Sequence, residues 1–512
     1  MFSLKKDSRL ADFCKEMIEC IENKSITKDG IENQKILLAK KHGIFALPKN
    51  ADLISYASEH GKPELIKFLK TKPVRTLSGV ASIAVMWMPP EGQKSCPGEC
   101  VYCPQSEDSP KAYTGSEPAT MRAKRFGYDP SLQIKNRLWQ FQIMGHCTDK
   151  CELIIMGGTF TAMPLTFQEG FIKKCIDALN CSDSASLKEA QAKNETAKNR
   201  CVGLTIETRA DWLRKASSLI NFGCTRVEMG IQTTSDELLK KINRGHDAQT
   251  NIDAIRRLKN SGLKFTAHWM PGLTGFDGEI NIREEIESFK KLFSENYQPD
   301  ELKIYPVLVL RGTKLHEMWK KGEYKALEKE QMTELLVKLK RIVPPYVRIK
   351  RIMRDISEHE AEAGAKTTNL RQLVGELMKP EPCRCIRCRE IGAASTGEAK
   401  LLTREYDASG GREFFISFES PEKILAFARL RTDKGETARI RELHVYGEMT
   451  PIGMKIAHQH HGLGKKLMQK AEEAARELGK KTVAVTSGVG VRGYYRPLGY
   501  SLENGYMTKK MK

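Results

Sequence analysis

The residues best spaced for chemistry are Cys96, Cys100 and Cys103, set as C-x3-C-x2-C in the segment SCPGECVYCP at 95–104. Three thiolates this close cannot be spread over a packed core. They can wrap one corner of a 4Fe-4S cluster and leave the fourth iron open to a ligand. Tyr102 sits just before the last cysteine and Pro104 ends the loop. Zinc ligands, or three unrelated buried thiols, are the competing reading. A second group, Cys383, Cys385 and Cys388 in CRCIRCR at 383–389, is poor for core packing and suits zinc. Only three ligands are visible there; the fourth is unknown, with His359 a candidate, and the intervening arginines would sit naturally beside a polyanion. A third pattern, QHHGLGK at 459–465, opens an amphipathic helix. Gln459, Gly462, Leu463, Gly464 and Lys465 there offer bare backbone N–H groups at a positive helix terminus, which suits a pyrophosphate.

These groups need a scaffold. Residues 1–75 read as a basic helical segment, with Leu10, Phe13, Met17, Ile18 and Ile21 at helical spacing. Its lysines, Lys35, Lys40 and Lys41 among them, form either a solvated face or an arm for a nucleic-acid backbone. From 76 to 343, apolar runs at 80–88, 152–156, 202–207, 226–231, 264–268 and 303–309 alternate with helical patterns at 167–179, 211–222, 251–261 and 283–293. That alternation predicts a parallel β/α sheet, as a full or partial barrel. Chemistry in such barrels gathers at the C-terminal ends of the strands, and the cysteine loop follows the first of them. Residues 180–200 read as an inserted surface helix. Residues 344–395 form a linker that holds a strand with Arg348, Lys350 and Arg354 on one face and the second cysteine group. Residues 396–512 read as a second α/β domain, with an antiparallel meander at 414–418, 424–431 and 440–446, the glycine loop, its helix, and a strand at 482–486.

The chain has 512 residues, enough for roughly three domains. Its 84 Lys+Arg against 64 Asp+Glu, a net +20, favour a polyanionic partner, nucleic acid ahead of a membrane surface, over a mere solubility surplus. No apolar run of signal-peptide or membrane-spanning length is present. Fourteen cysteines without an export signal predict a reducing compartment, metal ligation in two groups and ordinary buried thiols elsewhere. A cytoplasmic location is expected.

The cysteine spacing resembles the signature of the radical S-adenosylmethionine (SAM) enzymes, in which the open iron binds SAM. The C-terminal order of ELHV at 442–445, glycine loop, helix, strand and GYYR at 493–496 is similar to the GNAT acetyltransferases. Together they resemble the family of the Elongator catalytic subunit and its single-chain archaeal and bacterial relatives, which modify tRNA wobble uridines. Further markers run in one order: KPVRTLSG at 72–79, YTGSEP at 113–118, MGGTF at 156–160, IETRAD at 206–211, MPGL at 270–273 and SGVG at 487–490. The first 71 residues carry little of the likeness. The gap between the first two cluster cysteines is shorter than in eukaryotic relatives, and Ala210 stands where the family often has proline.

What the resemblance implies is specific. Gly157, Gly158 and Thr159 meet SAM, Glu207 and Arg209 lie near it, and Gln232 is placed as a further contact. Lys150 is assigned to acetyl-CoA within the radical domain. Glu442, Leu443, His444 and Val445, the glycine loop and Tyr495 are assigned to acetyl-CoA in the GNAT domain. Tyr494 or Tyr495 approaches the coenzyme sulfur, plain packing being the alternative for each. The implied reaction starts with electron transfer from an external donor through the cluster to SAM. A 5′-deoxyadenosyl radical then takes hydrogen from the methyl group of acetyl-CoA, the carbon radical adds to carbon five of uridine, and thioester hydrolysis leaves a carboxymethyl group. An anticodon loop offers unstacked bases to such a pocket. A homodimer or Elongator-type subunits are the expected assemblies. The rivals are a protein lysine acetyltransferase with a structural iron–sulfur domain, and a non-catalytic tRNA-binding protein.

Overall fold

The computed structural model describes residues 8–71, 76, 79–276, 278–391, 398–447 and 462–511. Helices Ser8–Glu22, Ile31–Lys41 and Asn50–Glu59 pack Phe13, Met17, Ile18 and Ile21 against Leu38, Leu53 and Ile54. The 3.6-residue spacing of these apolar side chains puts them on one face of each helix. Lys35 does not belong to a solvated face, because it is buried and held by Glu32 at 3.1 Å and Asn50 at 3.2 Å. The module is tied to the next domain where His146 Nε2 meets the Thr71 carbonyl at 3.0 Å.

The next domain is a seven-stranded, all-parallel sheet, β1 Ala81–Met86, β2 Lys150–Met156, β3 Arg200–Thr208, β4 Arg226–Gln232, β5 Lys264–Trp269, β6 Glu301–Ile304 and, beyond the short β7 Leu308–Leu310, β8 Arg348–Ile352. The seventh strand of the sheet thus falls in the stretch read as linker. β7 pairs instead with β9, Ala361–Gly364. The sheet is a partial barrel, open between β1 and β8. Alternation along each strand turns Val227, Met229 and Ile231 of β4 toward the covering helices and Arg226 and Glu228 inward. Lys264 and His268 of β5, Glu301 and Lys303 of β6, and Arg348 and Lys350 of β8 join them in a buried charged column. Arg354 lies past the end of β8, its guanidinium on the Ala112 carbonyl.

The C-terminal domain is a second seven-stranded sheet. β10 Lys400–Ala408, β11 Gly411–Glu419, β12 Ile424–Thr432 and β13 Thr437–Val445 form an antiparallel meander. β14 Thr482–Val485 lies parallel to β13, and β15 Ser501–Glu503 and β16 Tyr506–Lys510 complete the sheet. β10 escapes sequence reading because it is an edge strand exposed over most of its length, with no apolar alternation. Helix Leu463–Glu477 covers the sheet with Leu467, Met468, Ala471 and Ala475.

The two large domains are joined by buried charge. Arg441 of β13 donates to Asp300, just before β6, at 2.8 and 2.6 Å, and to Glu413 of β11 at 2.7 Å. Lys259 lies 3.8 Å from Asp300 and 3.5 Å from Glu413, with Arg429 and Arg431 around them, and every one of these side chains is at most 1% exposed. The expected surface helix in 180–200 is also a contact between domains. Helix Leu187–Asn194 buries Leu187, Ala190, Gln191 and Asn194, and Glu195 beyond it pairs with Arg496 at 2.6 Å.

Candidate active sites at the two ends of the barrel

At the C-terminal ends of β1 and β2, the cysteine loop is pinned at several points. The Thr159 N–H donates to the Ser95 carbonyl at 2.9 Å, and the Val101 N–H donates to the Ile242 carbonyl at 3.1 Å. Cys100 is buried, whereas Cys96 and Cys103 are partly open. All three are free thiols, and Thr159 Oγ1 donates to Cys96 Sγ at 3.1 Å. Burial pushes the Cys100 thiol up, but the charges of Arg244 and Arg209 outweigh it and hold the thiol below its ordinary value. Desolvation and the two neighbouring thiols push the partly enclosed Cys103 up to about 12. One polarised thiolate in a loop of three fits an iron–sulfur donor set and not a packed apolar core.

Beside the loop, Gly157 and Gly158 take φ values of 133° and 98°, which turns their backbone toward the cysteines. Gln232, at the end of β4, has φ 69°, and its Oε1 is buried with no hydrogen-bond partner among the described residues. An orphaned acceptor next to open backbone is what the ammonium and carboxylate of SAM would engage. Glu207 accepts from Tyr113 Oη at 3.0 Å and lies 3.7 Å from Lys303. Tyr113 was legible only as part of a marker, and Lys303 and His268 carried no signal at all. Glu207, Glu228 and His268 bring their ligand atoms within 4.8 Å of one another. Lys303 lies directly on Glu228, so an ammonium already supplies the cation there. The Arg209 guanidinium grips Asp211 at 3.0 Å and faces Cys100.

Lys150 is the first residue of β2, paired in register with Arg200. It therefore stands at the end of the barrel opposite the cysteines, on the side where the C-terminal domain docks.

The coenzyme crevice belongs to that same end. β13 pairs with β14 only from Thr437↔Thr482 to Ile440↔Val485, while its pairing with β12 runs on to Val445. From Arg441 onward the two parallel strands diverge, leaving one backbone edge of Glu442, Leu443, His444 and Val445 unpaired by β14. A pantetheine arm can add to such an edge as a strand does. Gly462, at φ 92°, leads into the helix that starts at Leu463, whose first N–H groups have no partner within the helix, and a Cβ on Gly464 in its first turn would lie 3.7 Å from Val445 of β13. Lys465 is exposed on its first turn; Gln459 lies outside the described residues. The Glu442 carboxylate is engaged by Arg429 at 2.9 Å and Lys264 at 3.1 Å, so its backbone is what remains for a ligand. Burial lowers His444 to about 4, leaving it neutral at pH 7.

The two tyrosines part company. Tyr495 is 6% exposed in the domain core, where burial raises its hydroxyl above the ordinary range. Tyr494 is 40% exposed, and its hydroxyl lies 2.7 Å from where a Cβ on Gly464 would sit. Of the pair, Tyr494 reaches the helix start and the split.

Cys383, Cys385 and Cys388 hold their sulfurs within 4.8 Å of one another at the short helix Ile386–Arg389. Hydrogen bonds from Cys383 and Cys388 hold the Cys385 thiol below its ordinary range. His359 is exposed on the turn Glu358–Glu360 and is not among the ligand atoms gathered there. Among the described residues, no helix is long and apolar enough to cross a membrane.

Comparison with known proteins agrees with this anatomy. Residues 91–285 match the Radical SAM superfamily, 299–379 the Radical_SAM C-terminal domain, 10–77 the ELP3 N-terminal domain and 384–500 the Acetyltransferase (GNAT) family. Together these domains imply SAM, an iron–sulfur cluster and acetyl-CoA. The chain is 43% identical to the tRNA uridine(34) acetyltransferase of Methanocaldococcus jannaschii, covering 96% of each protein. It is 38% identical to Elongator complex protein 3 of Homo sapiens, covering 98% of this chain and 97% of that one. The solved structure of the archaeal Methanocaldococcus infernus Elp3 with N-terminus deletion is similar, with a TM-score of 0.73 at 41% identity, over 85% of this chain and 100% of that one. The chain belongs to the family of the tRNA uridine(34) acetyltransferases and Elongator complex protein 3.

Proposed function

We propose that this chain is a tRNA wobble-uridine carboxymethyl synthase, an acyltransferase of radical SAM type that uses acetyl-CoA. The observation that carries the reading is that the cluster loop and the coenzyme split occur together, intact, in one chain and are joined through buried charge. Such an architecture serves no purpose in a lysine acetyltransferase, which needs the split alone. The bound cluster and SAM supply radical chemistry at an unreactive carbon, which no side chain of the protein can provide.

The chain's own residues hold and orient. Cys96, Cys100 and Cys103 ligate the cluster. Gly157, Gly158 and Thr159 present backbone and hydroxyl to SAM, and Gln232 offers its orphaned acceptor. Tyr113 fixes Glu207 by a hydrogen bond at 3.0 Å, and Lys303 stands 3.7 Å from that carboxylate. The edge of β13 and the N-terminus of helix Leu463–Glu477 hold acetyl-CoA, and Tyr494 places a proton donor over the thioester end. Lys150 contributes at the lower rim of the barrel. Cys383, Cys385 and Cys388 hold a structural zinc. The substrate is tRNA, bound through its anticodon loop with phosphate contacts that weaken steeply with salt. The enzyme works in the cytoplasm with an external electron donor, as a homodimer or with Elongator-type subunits.

Anaerobic incubation with SAM, a reductant, acetyl-CoA and tRNA, followed by nucleoside analysis, tests the reading. Carboxymethylated uridine is expected; its absence in protein that binds a full cluster and both small ligands would overturn it. Tyr494→Phe should lower turnover roughly a hundredfold, the usual scale for a lost proton donor, with acetyl-CoA affinity little changed. Tyr495→Phe should leave turnover within a few-fold of the parent. Steady-state kinetics on the two variants separates the roles, and equal losses would dismiss Tyr494 as the donor.

A further inference from the structure

We propose that Arg244, acting with Arg209, sets the reduction potential of the iron–sulfur cluster by holding two guanidinium groups against the Cys100 thiolate. This rests on the reading that Cys96, Cys100 and Cys103 carry the cluster. Arg244 Nη1 donates to Cys100 Sγ at 3.5 Å, and its Nη2 donates to the Gly230 carbonyl of β4 at 2.6 Å. Arg209 Nη1 donates to the same sulfur at 3.7 Å. Its other nitrogens grip Asp211, which His246 Nδ1 approaches at 3.2 Å, and one of them also reaches the Arg244 carbonyl. One arginine's backbone therefore anchors the other's side chain. Both residues are 5% exposed.

The surroundings are cut to fit these two groups. A Cβ on Gly98 would come within 2.0 Å of Arg209 Nη1, and one on Gly230 within 2.8 Å of Arg244 Nη2 and 2.6 Å of Gln232 Nε2. The segment that carries Arg244 is laced along the cysteine loop, where Ile242 takes the Val101 N–H and Asn243 Nδ2 donates to the Glu99 carbonyl at 2.9 Å. Cys96, by contrast, takes a hydrogen bond from a neutral hydroxyl, whereas both guanidinium donors fall on Cys100.

A cluster's potential follows its net charge, the hydrogen bonds to its sulfurs and its exposure. Reduction adds one electron to a core already faced by three thiolates. Fixed cations in a site with little water stabilise the reduced form more than the oxidised one. N–H donors on sulfur act in the same direction. Both raise the potential, so a low-potential one-electron donor reduces the cluster more completely. Arg209 and Arg244 are positioning residues in this role, since each acts through Cys100.

The test is a redox titration of the full-length, anaerobically reconstituted protein followed by electron paramagnetic resonance, with iron and sulfide counted on the same samples. Arg244→Gln at parental iron content should lower the ratio of reduced to oxidised cluster at least tenfold at a fixed potential, 59 mV for a one-electron couple. Arg244→Lys should recover most of that shift. Gly230→Ala, which crowds the Arg244 guanidinium and the Gln232 amide without removing either, should move the ratio, titrated without SAM, in the same direction as Arg244→Gln. An Arg244→Gln protein with full iron and a ratio within twofold of the parent overturns the proposal. Should Arg244→Gln lose its iron, Arg209→Gln and Gly230→Ala decide, and an unshifted potential in both overturns it equally. A parent protein that takes up no iron refutes the cluster reading itself, and the iron count shows this before any titration.

Discussion

Cys100→Ala protein should carry substoichiometric iron, and its uridine-modifying turnover should fall by roughly a thousandfold or more, because the three cluster ligands act as one unit. Cys100 is the deepest of the three and the one on which both buried arginines converge. The fold should survive. The loop is held by backbone hydrogen bonds at Ser95 and Val101, and losing one sulfur from a packed loop costs about 1 kcal/mol. Acetyl-CoA affinity should be unchanged, since the split between β13 and β14 lies at the far end of the barrel. Iron analysis, nucleoside analysis and coenzyme titration on one preparation read all three. A Cys100→Ala protein that still modifies uridine would remove the cysteine loop from the chemistry. One that acetylates protein lysines at the parental rate, with no carboxymethylated uridine from the parent, would favour the rival acetyltransferase.

The second large effect concerns stability. Asp300→Ala leaves Arg441, Lys259 and Arg429 facing one another at a buried boundary with only Glu413 and Glu442 to balance them. Removing one partner of a buried ion network costs about 3–5 kcal/mol, because the remaining charges lose their compensation. Since Asp300 is the barrel's carboxylate in that network, the loss should show as separate unfolding of the two large domains in calorimetry. The exposed pair Arg412–Glu405 at 3.4 Å is the control, and Glu405→Ala should cost under about 1 kcal/mol. Equal effects of the two substitutions would refute the network's role. Acid should act on the same joint. Burial alone would raise Asp300, but Arg441, Lys259 and Arg429 pull it far below the carboxylate range, and Glu413 is lowered likewise. A carboxylate depressed in the folded state contributes stability that is complete above its unfolded value near 4. That stability is lost as pH falls below this point, when the unfolded chain binds protons first.

The strands of the barrel were legible because each carries an apolar face toward the helices, and the cysteine loop because metal spacing is local. The lining of the barrel was not. RVEMGIQ at 226–232 reads as an ordinary half-buried strand, and period-two alternation cannot tell a polar face turned to water from one turned into a charged column. Only the order β4, β5, β6 in the sheet reveals that Glu228 faces Lys303. Tyr494 and Tyr495 are neighbours with the same chemistry, and their separation into crevice and core depends on a turn whose phase the sequence does not display. Arg209 is placed near SAM by likeness, and its guanidinium lies on Asp211 and on Cys100 of the cysteine loop, partners that the sequence alone does not display. Arg244 left no mark at all, because a single arginine in a loop has no period and no spacing partner.

The parallel sheet has a kinetic corollary. Its cysteines follow the strands' C-terminal ends, while Glu442 and Lys264 meet at the N-terminal ends. A six-residue strand such as β5 spans about 20 Å at 3.3 Å per residue, so under the proposed function the thioester and the radical arise one strand length apart. Delivery of the acetyl group across that gap is therefore a step in its own right. Turnover then belongs in part to the travel of a flexible arm, and a deuterated acetyl methyl will report less than its full isotope effect whenever travel is the slower event.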